Sequence, residues 1–146
     1  VSVLARDIVV GSEQLTMQLA NTLDIDYAQA EKIKLGIVSA ENFREDIEKI
    51  FNQTCTQWVL EIKKAIDLYL MNNPDKHLKY LVLSGGGSKV NGLKEYIEKE
   101  TGLSVIAFNP FKKMVYDPKK FDENYLDSIA PEMAIAAGLA IRSASF

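Results

Sequence analysis

The sequence predicts an α/β fold in which a mixed sheet of short strands is flanked by helices and joined to a small helical subdomain. A short apolar strand, Tyr80–Leu83, runs into three glycines and is followed by a helix from about Gly92 to Glu100. A second apolar strand is predicted over Leu103–Phe108. Between Ala40 and Met71, apolar residues recur at steps of three and four, which is typical of a long amphipathic helix.

The first third of the chain carries one strand signal and two helix signals. Val1–Val10 ends in three consecutive β-branched residues and is predicted as a buried strand. Gln14–Leu23 has leucines at helical spacing and is predicted as a short helix. Asp26 is a good N-cap for the next helix, Gln29 stands at the reciprocal capping-box position, and Gly36 is predicted to end that helix.

Proline and glycine mark the remaining boundaries. Pro74 ends the long helix, because the residue before a proline is pushed out of the α region. Gly102 is predicted to stop the helix that follows the glycines. Asn109–Asp127 is predicted as a polar loop, and a final helix is predicted over Pro131–Arg142. The small residues of that helix predict close helix packing: Ala134, Ala136, Ala137, Gly138 and Ala140.

Composition argues against several functional classes. The chain has 146 residues, a net charge of -3 and a pI near 5.2, whereas nucleic-acid surfaces need clustered Lys and Arg. With Cys55 and His77 as the only residues of their types, neither an internal disulfide nor a zinc site is expected. No apolar run approaches the roughly 20 residues of a membrane span. Because the chain opens at Val1 on a strand-like segment, it is expected to be part of a larger protein.

The three glycines after the strand are the first candidate binding feature. Gly85, Gly86 and Gly87 lack a Cβ, so they can adopt positive φ and let a flat ligand lie on the backbone. The following helix is expected to direct its free N–H groups toward the same place. Neither the P-loop pattern nor the dinucleotide fingerprint fits the spacing of Ser88 and Lys89 after the glycines. A tight turn without a ligand remains the alternative interpretation.

The second candidate feature is the pair Glu31 and Lys34. Three residues apart on one helix, they face the same way. A carboxylate can accept hydrogen bonds from the vicinal hydroxyls of a ribose, and a lysine stem can lie on an adenine face with its ammonium in water. The alternative is an ordinary surface ion pair, which stabilises a helix by a few tenths of a kcal/mol.

Both features occur in the order found in a known superfamily. Residues 83–93 (LSGGGSKVNGL) resemble the adenosine loop of the actin, Hsp70 and FtsA superfamily of ATPases. Residues 30–34 (AEKIK) are similar to the helix that those proteins place against ribose and adenine. The opening at residues 6–16, the NPF at 109–111 and the segment 130–142 resemble the PilM family, the FtsA-like type IV pilus assembly proteins.

The resemblance implies the second lobe of an actin-like fold. Residues 1–11 and 41–146 would form the shared subdomain, and residues 12–40 the small helical subdomain that caps the nucleotide. ATP or ADP with Mg²⁺ is the implied cofactor of the full-length protein, and it stays open whether the isolated fragment holds any nucleotide. The implied binding residues are Glu31, Lys34, Gly85, Gly86, Gly87 and Ser88.

The resemblance assigns no catalytic residue and no metal ligand to this stretch. In the superfamily, the two phosphate loops and the metal-binding acid are expected upstream of Val1. The fragment alone is therefore expected to show no ATPase activity, because phosphoryl transfer depends on such groups. Whether the full-length protein hydrolyses ATP slowly or only holds it stays open. The alternative function is a degenerate actin-like scaffold that binds no nucleotide and mediates only protein–protein assembly.

The resemblance also implies partners and a location. It predicts a cytoplasmic protein that is peripheral to the inner membrane through other pilus platform proteins, with no nucleic acid bound and no direct membrane insertion. A PilN-like cytoplasmic tail is the implied partner, bound mostly by the lobe outside this sequence. The aromatic residues of the loop at 111–127 fit either a partner surface or packing onto their own domain.

Overall fold

A two-stranded parallel sheet and six α-helices organise residues 4–142, the part of the chain that this computed structural model describes. Strand β1 is Tyr80–Leu83 and strand β2 is Ser104–Ala107, with Leu81 opposite Val105. Helix α4, Leu93–Thr101, lies between the two strands in the chain and makes the crossover that a parallel pair requires. Both strands were predicted at these places.

The predicted strand at Val1–Val10 is wrong for the residues that can be tested. Residues 4–10 have no regular secondary structure, and residues 1–3 lie outside the described part. Val9 is fully exposed, and Arg6 donates to Glu61 across 2.7 Å. A strand needs a hydrogen-bonding neighbour, and in the described chain β1 and β2 pair only with each other. The sheet seen here is therefore parallel and two-stranded, not mixed.

Two short helices follow and form an antiparallel hairpin. Helix α1 is Ser12–Leu23 and helix α2 is Tyr27–Lys34. The predicted cap is confirmed, because Asp26 accepts a hydrogen bond of 2.8 Å from the backbone N–H of Gln29. Helix α1 buries the leucines that its spacing indicated: Leu15, Leu19 and Leu23.

The end of α2 is tied to the segment that follows the glycines. Gly36 has a φ of +69°, and an added Cβ would lie 2.9 Å from the side chain of Asn91. The backbone N–H of Asn91 donates to the carbonyl of Lys34 over 2.9 Å. Glycine is required at position 36 both by its conformation and by this close approach. The helical hairpin and the glycine loop are thereby held side by side.

Helix α3, Arg44–Asn72, is the longest element. A 3₁₀ turn at Glu41–Phe43 precedes it, so the predicted start at Ala40 was a few residues early. The predicted core positions Cys55 and Trp58 are confirmed, and burial raises the pKa of the Cys55 thiol to about 12. The core of the described chain joins α1, α3, α4 and β2 and includes Leu15, Leu19, Ile50, Cys55, Trp58, Val59, Leu93, Ile97 and Val105.

The C-terminal helices differ from their prediction. Helix α5, Glu123–Ile129, begins inside the predicted loop, where Asp122 accepts a hydrogen bond of 2.9 Å from the N–H of Tyr125. A 3₁₀ turn at Ala130–Met133 then leads into helix α6, Ala134–Ala140. The single helix predicted from Pro131 is thus a 3₁₀ turn followed by two turns of α-helix.

Close packing of the last helix was predicted and is wrong for the described chain. Ala137 is buried, but Ile135 is 78% exposed and Leu139 is 64% exposed. A Cβ on Gly138 would meet no atom within 4 Å. Small residues in a helix permit close approach but do not require it, and here no described element covers this face.

The loop at 111–127 packs partly on itself. The rings of Tyr116 and Phe121 meet edge to face with centroids 6.4 Å apart. Phe111 and Tyr116 are half-buried, whereas Phe121 and Tyr125 are mostly exposed. The side-chain amide of Asn109 donates to a carboxylate oxygen of Asp127 over 2.7 Å and closes the base of the loop.

Candidate functional site

The Glu31–Lys34 pair lies beneath the first turn of α1. One turn apart on α2, the Lys34 ammonium and Glu31 Oε2 are separated by 2.7 Å. The Lys34 side chain is only 4% exposed, so the prediction that its ammonium stays in water is wrong. The cause is α1, whose Ser12 carbonyl covers the ammonium and accepts from it over 3.4 Å. Glu31 is more open, with 34% of its side chain exposed.

Thr16 holds the same carboxylate oxygen from the other helix. Its Oγ1 lies 2.7 Å from Glu31 Oε2, and the residue has no exposed surface. Oε2 of Glu31 is therefore ion-paired with Lys34 and accepts a hydrogen bond from Thr16. Within residues 4–142, no hydrogen bond is made to Oε1 of this carboxylate. The group is fixed through one oxygen, and the other remains available as an acceptor.

The charge on Glu31 is stabilised by its surroundings. Partial burial tends to raise the pKa of this carboxyl group, but hydrogen bonds from Lys34 and Thr16 oppose that effect. The positive charges of Lys34 and Lys89 act in the same direction as the hydrogen bonds. The pKa of Glu31 is therefore lower than its ordinary value of 4.5, and the group is an anionic acceptor at neutral pH.

The glycine loop is anchored to the segment before α6. The N–H of Gly85 donates to the carbonyl of Pro131 over 2.7 Å, and the hydroxyl of Ser84 donates to the same carbonyl over 3.1 Å. The hydroxyl of Ser88 donates to the carbonyl of Gly85 over 2.7 Å. Toward any ligand, Ser88 can therefore only accept, because its one hydrogen is used inside the loop.

The three glycines have different roles in this loop. Gly85 alone among them has the left-handed φ that favours glycine, at +83°. A Cβ on Gly86 would meet nothing within 4 Å, whereas one on Gly87 would lie 3.5 Å from the side chain of Ser12. A 3₁₀ turn at Gly86–Lys89 separates the glycines from α4, whose predicted start at about Gly92 is confirmed by the N-cap at that residue. The free backbone surface that a flat ligand would need lies at Gly85 and Gly86.

The two candidate features meet at the start of α1. Ser12 contributes its carbonyl to Lys34, and its side chain faces Gly87. Lys89, in the glycine-loop turn, lies near enough to Glu31 for its charge to lower the pKa of that group. Lys89 is also paired with Glu132 over 2.8 Å. Residues predicted from two separate motifs therefore lie in one place.

Two cavities flank this meeting point. One of about 420 Å³ is lined by Ser12, Gly87 and Ser88 together with apolar side chains of the core. It also contacts Trp58, whose buried indole Nε1 has no hydrogen-bond partner among the described residues. A second cavity of about 380 Å³ lies on the other side, next to Lys34 and Asn91 along with residues of α1 and α3.

Between residues 4 and 142, no group of three or more His, Cys, Asp or Glu side chains is arranged to hold a metal ion. None of the helices in that range combines the length and the apolar character needed to cross a membrane.

Comparison with known proteins identifies the family of this chain. A family model described as type IV pilus assembly protein PilM matches residues 1–144. The chain belongs to the PilM family. Among solved structures, it is similar to a chain of a structure titled "PilM-PilN type IV pilus biogenesis complex", with a TM-score of 0.75 and 26% sequence identity. The resemblance noted in the sequence is thus confirmed at the level of the family.

The solved relative is a longer protein. The match covers 95% of this PilM-family chain and 39% of the other, so the chain spans about two fifths of the length of the structure it matches. A search of curated proteins found no significant match.

Sequence reasoning missed one residue of this arrangement, Thr16. It lies one turn after Ser12 on α1 and shares a face with the buried Leu19. A polar residue within a buried leucine stripe needs a hydrogen-bond partner, and that signal was present in the sequence. Which partner it finds depends on how α1 crosses α2, and the sequence pattern does not specify this.

Proposed function

We propose that this chain is the adenosine-side part of an ATP-binding, actin-like protein that acts as a cytoplasmic platform component in type IV pilus assembly. The observation that carries the proposal is the state of Glu31. Its carboxylate is ionised and held through Oε2 by Lys34 and Thr16, while Oε1 is unused among the described residues. A ribose presents two neighbouring hydroxyl donors, and a fixed anionic acceptor suits them.

The glycine loop supplies the surface for the base in this proposal. Gly85 and Gly86 have open space where a side chain would lie, so a planar ring can approach the backbone there. The Lys34 stem is covered by α1 and offers no free face, so it is not assigned to adenine as the sequence pattern suggested. In this arrangement, Lys34 acts on the ligand through Glu31.

The proposal assigns the phosphates and Mg²⁺ to the rest of the full-length protein, as the actin-like resemblance implies. ATP or ADP is the cofactor that the site would hold, and the residues of this chain would bind and orient its adenosine part. Mg²⁺ would neutralise charge on the phosphates there. The assignment as the second lobe of an actin-like fold belongs to the same proposal.

A PilN-like partner is part of the proposed function. The similar solved structure is a complex of PilM with PilN. By that likeness, the full-length protein would bind the cytoplasmic tail of a PilN-like protein, mostly through its other lobe. It would then be peripheral to the inner membrane through such partners.

Calorimetry with ATP tests the proposal in the full-length protein. Glu31→Gln removes the charge of the acceptor with little change in shape, and a hydrogen bond to a charged group contributes about 1.5–3 kcal/mol. The expected result is a loss of affinity of about tenfold or more. Glu100→Gln on α4, which breaks the exposed pair with Lys63, is the matched control and should leave affinity unchanged.

The alternative is the scaffold that binds no nucleotide. It is supported if the wild-type protein shows no heat of binding with ATP, ADP or adenosine. If Glu31→Gln instead binds ATP as tightly as the wild-type protein, the nucleotide site lies away from α2.

A further inference from the structure

A threonine is fully buried in the apolar face of α1. Thr16 has no exposed surface, and its neighbours along the same face, Leu15 and Leu19, are each 2% exposed. A buried hydroxyl without a partner is unfavourable by a few kcal/mol, roughly 1–3 in mutational data. Two oxygens lie within its reach: Glu31 Oε2 at 2.7 Å and the Ser12 carbonyl at 3.2 Å.

The hydroxyl has one hydrogen and can donate it to one of these oxygens. Glu31 offers the shorter distance and a negative charge, and hydrogen bonds to charged acceptors are the stronger class. The carbonyl of Ser12 also accepts from Lys34. The hydroxyl of Thr16 therefore donates to Glu31.

This donation restricts the carboxylate in a way that the ion pair alone does not. An ammonium group rotates freely and acts as a point charge, so Lys34 attracts the carboxylate without setting the plane of its two oxygens. The χ1 angle of a β-branched side chain is restricted in a helix, and the hydroxyl of Thr16 lies 2.7 Å from Glu31 Oε2. Thr16 and Lys34, on different helices, converge on Oε2, and no described residue makes a hydrogen bond to Oε1.

We propose that Thr16 is a positioning residue of the nucleotide site, whose hydroxyl orients Glu31 so that Oε1 meets the ribose hydroxyls. The inference rests on the proposed function, since it needs a ribose at Glu31. It adds a role for α1, which carries none of the binding residues predicted from the sequence.

The test compares Thr16→Val with Thr16→Ser in the full-length protein. Valine keeps the shape and lacks the hydroxyl, whereas serine keeps the hydroxyl. Calorimetry with ATP and with 2′-deoxy-ATP gives the preference for the intact ribose. We expect Thr16→Val to weaken ATP binding about tenfold and to lose most of that preference, and Thr16→Ser to restore both. A preference that is unchanged in Thr16→Val overturns the inference.

A second readout needs no nucleotide. The pKa of Glu31, followed by NMR of the carboxyl carbon, should rise in Thr16→Val, because a hydrogen bond to the ionised form is lost. The other charged groups that face Glu31, Lys34 and Lys89, are the same in both variants. An unchanged pKa overturns the inference even if ATP affinity falls. Should Thr16→Val not fold, Thr16→Cys, a weak donor of similar size, takes its place with the same expected direction.

The outcomes separate this inference from the proposed function. If wild-type protein binds no nucleotide, both fail. If wild-type binds ATP and Glu31→Gln does not, while Thr16→Val binds like wild-type, the site stands and only the role of Thr16 is wrong.

Discussion

Lys34 is almost excluded from water, and its ammonium is accommodated by two oxygens from different helices. Glu31 Oε2 lies 2.7 Å away and the carbonyl of Ser12 lies 3.4 Å away. Taking a charge out of water is costly, and the cost is offset only while such partners remain in place. The pair therefore stabilises the contact between α1 and α2 in addition to any role in binding.

Replacing Lys34 should reduce the stability of the fold, whereas replacing one partner of an exposed ion pair should have little effect. Lys34→Met leaves a partly buried carboxylate with one donor, so the free energy of unfolding should fall by about 1–3 kcal/mol. Urea unfolding measures it. The control is Arg44→Met, whose pair with Glu48 has exposed side chains on both sides and should change stability by less than about 0.5 kcal/mol. Equal effects in the two variants would contradict the buried role of Lys34.

The lowered pKa of Glu31 sets a pH dependence with a defined sign. Because the folded pKa lies below the ordinary 4.5, Glu31 contributes stability above pH 4.5 that is lost as the pH falls through its folded pKa. Glu31→Gln should flatten that part of the stability curve. Urea midpoints measured from neutral pH down to below 4.5 test it, and parallel curves for wild-type and variant would contradict the prediction.

At the scale of elements, local signals predicted local structure well. Asp26 marked the start of α2, Gly102 marked the end of α4, and β1 has the predicted bounds, because caps and apolar runs act over a few residues. Such local signals could not predict that residues 4–10 form no strand or that α6 is largely exposed. Both depend on which other elements lie alongside, and helical or alternating periodicity does not carry that information.

The same distinction between local and tertiary information applies to the candidate site. The family resemblance, together with residue types and spacing, pointed to Glu31, Lys34 and the glycines. In the described structure Ser12 contacts both Lys34 and Gly87, and a binding role for these residues stays a prediction. The burial of Lys34 and the contact with Thr16 follow from the crossing of α1 over α2, which is tertiary.

The glycine loop offers a matched pair of substitutions. Gly85 has a φ of +83° and a ψ of 171°, a region essentially restricted to glycine, so Gly85→Ala should destabilise the fold by about 1–3 kcal/mol. A Cβ on Gly86 meets nothing, so Gly86→Val should change stability less. In the full-length protein, Gly86→Val should nevertheless abolish ATP binding, because its side chain fills the space assigned to the base.

Urea unfolding and calorimetry on both variants separate the two effects. Normal ATP binding by a folded Gly86→Val protein would show that the loop is a structural turn and would favour the scaffold alternative. A Gly85→Ala variant as stable as wild-type would contradict the strain argument.

At the scale of the whole molecule, this chain leaves apolar surface uncovered. Ile135, Leu139 and Ile141 of the last helical segment are each at least 64% exposed, and on β1 Tyr80 is 55% exposed and Val82 47%. Ile135 and Leu139 lie one turn apart on α6, and exposed apolar surface shared by neighbouring side chains favours association in soluble proteins.

The isolated chain should therefore self-associate as its concentration rises. Ile135→Lys together with Leu139→Lys should reduce that association without lowering the urea midpoint, since neither side chain is buried. Light scattering over a concentration series measures the association. Lys94→Ala, on an exposed position of α4, is a control that should leave it unchanged. A monomeric wild-type chain at all concentrations would contradict the prediction.

Because Cys55 is buried, the rate at which a thiol reagent modifies it measures how often this chain opens. It is the only thiol, it has no exposed surface, and its raised pKa leaves almost no thiolate in the folded state. A thiol reagent can therefore modify only those molecules in which α3 has separated from the core. The modification rate reports how often that happens, with no engineered label. If a ligand binds only the closed state, the rate must fall in proportion to occupancy, so protection of one cysteine becomes a binding assay that needs no knowledge of where the ligand lies.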